Sequence, residues 1–399
     1  MLRPNGSPVE DWDPLAPDVL ADPHRAYAEL RQRCPVAWSN RWDGFWTLTR
    51  YRDVVRVAGD SRTFISSVQN LVPKSPRTGL SRRPLSSDPP EHTVFRRILN
   101  EHFSEERVAR LQPGIQAVVA RYLGPFVERG GGEAMGEVIS HLPVRTVCLW
   151  LDVPERDAEW IQERSTRYVA ALGEDERELA GSLSAELDGY ARELVARRQA
   201  ERRPRGGDAV TDLLHVRIGG EPIPPEWVAG TVRMLLVAAD RSTAAGAGFA
   251  VEWLARDPDL QARLRAEPTN IPEAIEELLR LGSPSQVLVR TATRDAVVGG
   301  RPVEGGEAVA MLFSAANRDP DAFQDPDHFR LDRTFKRHLA FGHGIHKCAG
   351  AALARLELRV TLEELLSRTR SWRLAGDVPH TRWPEYGPLH LHLAVEPAR

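Results

Sequence analysis

One stretch constrains this chain more than any other: HLAFGHGIHKCAGAALARLELRV, from His338 to Val360. Phe341, Gly342, Gly344, His346, Cys348 and Gly350 set out the pattern F-G-x-G-x-H-x-C-x-G, and a helical run of Ala, Leu and charged residues follows at once. At average residue usage such a match arises by chance less than about once in ten million starting points. Glycines let a backbone turn sharply and lie close to a flat ligand. A cysteine just ahead of a helix N-terminus has its thiolate favoured by free amides and by the helix dipole. An anionic sulfur is what an axial ligand to iron requires. A lone cysteine is more often a buried structural thiol, but the frame around Cys348 turns the reading toward a metal ligand.

Of the 399 residues, 42% are hydrophobic and 27% charged, a globular balance with ample material for a core. The formal net charge of -3, with no long Lys/Arg run, gives no basis for a nucleic-acid partner. No segment reaches the roughly 18 apolar residues that cross a bilayer, so no membrane partner is expected. The opening MLRPNGSPVEDWDPLAP is polar and Pro-rich, without the apolar core of a signal peptide. Cys34, Cys148 and Cys348 are widely spaced and odd in number, which implies no disulfide framework and fits a reducing compartment. The expectation is a soluble, cytoplasmic protein.

Around CPVAWSNRWDGFWTLTRY, Val36 and Trp38, then Trp46 and Leu48, alternate on either side of Asp43 and Gly44, which predicts a strand hairpin. From about Asp88 to Leu281 apolar residues recur at spacings of three and four, a helical pattern. Gly130 to Gly132, Arg202 to Asp208 and Gly219 to Pro225 read as breaks. Short strands are predicted at Gln286–Thr291 and Ala308–Phe313, and a hairpin-like end around Leu389–Val395. No internal repeat or low-complexity linker divides the chain.

The His338–Val360 stretch closely resembles the heme-binding loop of the cytochrome P-450 family, and further motifs follow the family order along nearly the whole chain. The resemblance implies a mainly α fold with small β-sheets, a single triangular heme domain over residues 1–399, of the bacterial soluble type. It implies heme b as cofactor, with Cys348 on the iron and Phe341, Gly342, Ala349 and Gly350 around it. In PEAIEELLRLGSP, Glu277 and Arg280 lie at i,i+3 on one helix face and resemble the family's E-x-x-R pair. Arg333, after SANRDPDAFQDPDHFRLDR, completes a structural Glu–Arg–Arg network by the same resemblance. SSDPPEHTVFRRIL puts His92 and Arg96 at i,i+4, able to reach one place. By resemblance both face the heme propionates, as do Arg290 and His346; guanidinium groups are charge-assisted partners for carboxylates.

The segment TVRMLLVAADRSTAAGAGFA resembles the long central helix over the distal heme face, where family members read A-G-x-(D/E)-T-T. This chain reads Ala238, Ala239, Asp240, Arg241, Ser242, Thr243. Ala239 is small enough to admit the porphyrin and dioxygen. Arg241 replaces the acid that helps proton delivery, and an arginine has no proton to give near neutral pH. Ser242 and Thr243 retain hydroxyls that both donate and accept. Three arrangements follow: Ser242, Thr243, Asp240 or water carries protons; or Arg241 binds a substrate carboxylate; or Arg241 turns away and pairs with a neighbouring acid.

By resemblance the substrate pocket draws on residues 64–84, 168–173, 234–239, 283–289 and 383–388. Val237, Val287 and Leu288 lie where family members touch substrate, and they predict an apolar pocket. Lys74, Arg77, Arg82 and Arg83 are expected to face water rather than an acidic substrate. No Gly-rich dinucleotide fingerprint is present, so electrons must come from elsewhere. The resemblance implies a ferredoxin and its reductase, docking near Arg333, Lys336, Arg337 and Lys347. The implied activity is monooxygenation of a small organic molecule, with a peroxide-driven oxidase or a non-catalytic heme protein as alternatives.

Overall fold

The computed structural model describes residues 9–74, 79–173, 176–334, 337–381 and 383–398. It is mainly helical with small sheets, as the resemblance implies. The largest sheet has strand order β1-β2-β10-β7-β3. Its strands are β1 (Val36–Ser39), β2 (Phe45–Leu48), β3 (Phe64–Ile65), β7 (Val287–Ala292) and β10 (Ala308–Leu312). The predicted hairpin forms with Trp38 opposite Trp46. Its turn needs glycine at Gly44: φ is +89°, and a Cβ there would sit 2.3 Å from the Trp38 ring. Alternate residues of these strands enter two cores, which is what period-two side chains do when both faces are covered. Trp46, Leu48, Val309 and Met311 pack on one face. Phe45, Val287, Val289, Ala310 and Leu312 pack on the other.

Two short hairpins lie between these strands in sequence: β5 (Arg217–Ile218) with β6 (Glu221–Pro222), and β8 (Ala296–Val298) with β9 (Arg301–Val303). The second sheet corrects two expectations. The Gly130–Gly132 break contains a strand, β4 (Gly131–Glu133), and the chain end is not a local hairpin. Here β12 (His392–Pro397) pairs with β11 (Thr369–Leu374) on one side and with β4 on the other. Gly131 has φ +108°, and a Cβ would lie 2.1 Å from the Leu393 carbonyl oxygen. Close backbone approach demands glycine there, and glycine reads as a break in a sequence.

Nine helices position the site. They are α1 (Glu91–His102), α2 (Gln112–Glu128), α3 (Leu142–Leu151), α4 (Ala158–Gly173), α5 (Arg177–Glu201), α6 (Pro225–Ala238), α7 (Arg241–Arg256), α8 (Ile271–Gly282) and α9 (Ala351–Arg368). Their apolar faces meet in one large core that includes Phe95, Ile115, Leu123, Val232, Leu254, Leu278 and Leu362. The expected single central helix is two, α6 and α7, separated at Ala239 and Asp240. Asp240 has ψ −79°, and its buried carboxylate accepts hydrogen bonds from the Ser165 and Thr166 hydroxyls of α4. These bonds to α4 fall at the break between the two helices.

Candidate heme site

Cys348 heads the site. Gly342 and Gly344 have φ +70° and +72°, and a Cβ on Gly344 would meet the Ala58 carbonyl oxygen at 2.1 Å. These glycines fold the stretch back so that the Cys348 amide donates to the Phe341 carbonyl at 2.8 Å. The thiol lies deep in the protein yet is open to an internal cavity of about 400 Å³. Burial pushes its pKa up; the Gly350 amide and the charges of Arg96, Arg355 and Lys347 oppose this. The helix-start amide therefore acts in the expected direction, and desolvation outweighs it in the free thiol.

A buried ion-pair frame holds this loop. Glu277 on α8 accepts from Arg280 at 2.8 Å through both carboxylate oxygens and from Arg333 at 2.6 Å. All three residues are buried. Arg280 also donates to the carbonyls of Asn317 and Pro326, and Arg333 to those of Asp325 and His328. The Asn317 side chain accepts from the Leu339 amide at 2.6 Å, two residues before Phe341. The frame thus reaches the loop through an unbroken set of hydrogen bonds. Because Arg333 is consumed here, it is not part of a docking surface; Arg337 and Lys347 are exposed, and Lys336 lies outside the described residues.

A second tether was not foreseen. Glu276, beside Glu277, accepts from Arg355 of α9 at 2.6 and 2.8 Å and pairs with His338 at 3.1 Å. The Arg355 guanidinium lies 4.4 Å over the Phe341 ring. Burial alone would raise the Glu276 pKa, but Arg355 and His338 bring it down to about 2. A depressed carboxyl pKa stabilises the fold above the unfolded value, near 4.5, and that stability is lost as pH falls toward about 2. Glu276→Gln is expected to remove on the order of 3 kcal/mol at neutral pH. It should also flatten the decline of the urea midpoint between pH 5 and pH 2.

Beside the loop, α1, β7 and His346 of the loop itself supply a cationic pole. His92 and His346 rings meet edge to face with centroids 4.4 Å apart, and the Nε2 atom of each is buried without a partner among the described residues. Arg290 is buried, and its one hydrogen bond among the described residues runs to the Val289 carbonyl. Burial pushes its pKa down to about 10. His346 falls to about 3, through burial first and then Arg290, His92 and Arg96. Arg96 is half-buried and lines the cavity beside them. Uncompensated buried cations and orphaned ring nitrogens are costly. Two carboxylates on one flat molecule satisfy them, so these residues fit the propionates of heme.

The other expected positions converge on the same cavity. Phe341, Gly342, Ala349 and Gly350 line it beside Cys348; Val237, Ala239, Val287 and Leu288 form apolar walls. Ser242 and Thr243 also line it, with the Ser242 hydroxyl donating back to the Ala238 carbonyl at 3.2 Å. Arg241 does not line it. Its Nε donates to Glu385 at 2.9 Å, so the arrangement present is an ion pair with an acid of the 383–388 turn. Of the basic loop, Lys74 is exposed and Arg77 lies outside the described residues. Arg83 pairs with Glu91 and stacks 3.9 Å over Trp227, and Arg82 turns onto the cavity wall. The expectation of solvated side chains fails for these two because the loop folds over α6.

Sequence reasoning missed Arg233 and Glu357, both of which line the cavity. Glu357 is buried on α9 with one oxygen unpartnered, and burial pushes its pKa up to about 8. Asp240, also buried, rises to about 6. A charged residue inside a helical run carries no mark that distinguishes a cavity wall from a solvated face.

Comparison with known proteins gives a consistent picture. The cytochrome P450 family model matches residues 171–379. Cytochrome P450-SU2 of Streptomyces griseolus is 34% identical, covering 94% of this chain and 93% of its own. The 20-oxo-5-O-mycaminosyltylactone 23-monooxygenase of Streptomyces fradiae is 30% identical over 92% of this chain and 88% of its own. Among solved structures, cytochrome P450 CYP109Q5 of Chondromyces apiculatus superposes with a TM-score of 0.84 at 29% identity, covering 96% of this chain and 97% of that one. With a cysteine loop, a buried cationic pole and similarity over more than nine-tenths of the chain to cytochromes P450, one of them named a monooxygenase, this chain belongs to the cytochrome P450 family and is a heme b monooxygenase.

Proposed function

We propose that the enzyme oxidises a small, largely apolar organic molecule with dioxygen, using electrons from a ferredoxin and its reductase, in the cytoplasm. The carrying observation is the Cys348 thiol in an apolar cavity also lined by Arg96 and by His92 and His346, whose buried Nε2 atoms have no partner among the described residues. Heme, when bound, supplies the oxygen-activating chemistry. Cys348 would ligate its iron, and His92, Arg96, Arg290 and His346 would hold its propionates. Phe341, Gly342, Ala349 and Gly350 would line its seat beside Cys348, and Ala239 is small enough to leave it room. Val237, Val287 and Leu288 enclose substrate and exclude water. Glu277, Arg280 and Arg333 hold the loop, and residues 1–399 act as one heme domain.

Proton supply falls to the hydroxyls of Ser242 and Thr243, which face the cavity. Arg241 is a positioning residue: paired with Glu385, it ties the start of α7 to the 383–388 turn. This pairing occupies the guanidinium that a substrate carboxylate at Arg241 would need. Electron donors dock by charge at Arg337 and Lys347, which are exposed. No helix among the described residues is long and apolar enough to cross a membrane.

Turnover of a hydrophobic substrate panel with NADPH, ferredoxin reductase and ferredoxin is the test. Product formation with matched oxygen and electron consumption is expected, and hydrogen peroxide alone should give far less. Product formed only with peroxide would overturn the proposal.

A further inference from the structure

Two arginines face the cavity besides the residues that fit the propionates. Arg233 of α6 is 2% exposed and lines the cavity. Its guanidinium lies 4.5 Å over the Tyr168 ring and donates to the Ser184 hydroxyl at 3.2 Å. Its Nε makes no hydrogen bond, with the Asp188 carboxylate standing off at 3.5 Å. Arg82, half-buried, lines the same wall and donates to the Tyr168 hydroxyl at 2.6 Å. The Asp188 carboxylate, the acid paired with Arg233, also accepts the Leu80 amide at 2.8 Å. Arg82 has no acidic partner among the described residues. Against the two guanidinium groups stands one carboxylate, paired with Arg233 alone, and the wall keeps a net positive charge.

The remaining charges of the cavity do not cancel it. Glu385 is neutralised by Arg241. Glu357 is held protonated near neutral pH by burial. Arg96 and His92 belong to the group that fits the propionates. Burial and the nearby Arg82 both push the Arg233 pKa down, which an incoming anion would reverse.

We propose that the enzyme's substrates carry a carboxylate, held by Arg82 and Arg233 with Tyr168 beside them; this rests on the heme-site reading above. Planar guanidinium forks suit a carboxylate in paired hydrogen bonds. Arg233 precedes Ala238 by five residues, roughly 7.5 Å along a helix axis. An anion held at Arg233 leaves the rest of an elongated molecule to run along α6 toward Ala239, Ser242 and Cys348. The carbon oxidised then lies remote from the carboxylate.

The test compares dodecanoic acid with dodecan-1-ol on the heme-loaded enzyme, by Soret shift and by equilibrium dialysis. The acid is expected to bind about tenfold more tightly or better, as charge-assisted bonds in a dry site imply. Arg82→Gln and Arg233→Gln should each remove about tenfold from the acid and leave the alcohol unchanged. Arg233→Lys should keep part of the preference. Should Arg233→Gln fail to fold, the loop variant Arg82→Gln carries the test. Equal binding of acid and alcohol would overturn the inference. So would no binding by straight-chain acids from octanoic to tetradecanoic, or variants that weaken both probes together, which marks a purely structural role. A wild-type enzyme lacking the thiolate-type carbon monoxide spectrum would instead remove the heme-site reading.

Discussion

Cys348→Ala is expected to abolish the strongly red-shifted Soret band of the reduced, carbon monoxide-treated enzyme and to abolish turnover. That band position reports sulfur ligation, and no other thiol can replace this one. Cys148 is buried on α3, and its pKa is pushed up to about 12 by desolvation. Cys34 lies at the start of β1, where its sulfur meets Arg301 and the Val36 carbonyl. Neither lines the cavity. His92 and His346 do, and both are held neutral by burial and neighbouring arginines. A variant that still binds heme through either ring should give a histidine-type spectrum without monooxygenation. The fold should survive, because the Cys348 amide that bonds to Phe341 is unchanged. A wild-type spectrum of histidine type would sink the assignment.

What the sequence revealed followed the physics of each signal. Glycines with positive φ, a cysteine before a helix, and a Glu/Arg pair at i,i+3 are local and leave a readable mark. Hence Gly342, Gly344, Cys348, Glu277 and Arg280 were legible. Arg333 and the His92, Arg96, Arg290 and His346 group came only through resemblance, since their meeting point lies across the fold. Partners set by packing were hidden. Nothing in SPRTGLSRRPL says that Arg82 meets Tyr168 while Arg83 stacks on Trp227. The α6–α7 break was hidden too, because the bonds that fall there reach Ser165 and Thr166 some 75 and 74 residues upstream of Asp240. β4 escaped because glycine carries no strand propensity, and only β12 makes it a strand.

Arg280→Ala is expected to destabilise the holoenzyme by about 3–5 kcal/mol, the range for breaking a buried pair. The Glu277 carboxylate keeps Arg333 and the Arg330 amide as partners, so it is not left wholly bare. The larger loss lies on the other side of the guanidinium. The carbonyls of Asn317 and Pro326 accept from Arg280, and removing it takes away that donor, while the His328 carbonyl keeps Arg333. This separates Arg280 from an ion pair that an apolar isostere could replace. Arg280→Met with Glu277→Met removes both charges, yet the Asn317 and Pro326 carbonyls still lack their donor and Arg333 loses its acid. The double variant should therefore recover less than half of the loss, as a double-mutant cycle would read. Because Asn317 also holds the Leu339 amide, the damage passes to the cysteine loop. Heme transfer to an acceptor apoprotein should be faster in Arg280→Ala than in wild type. A stable variant with unchanged heme retention would show that the frame does not hold the loop. Full recovery in the double variant would show that charge, rather than carbonyl capture, is what Arg280 contributes.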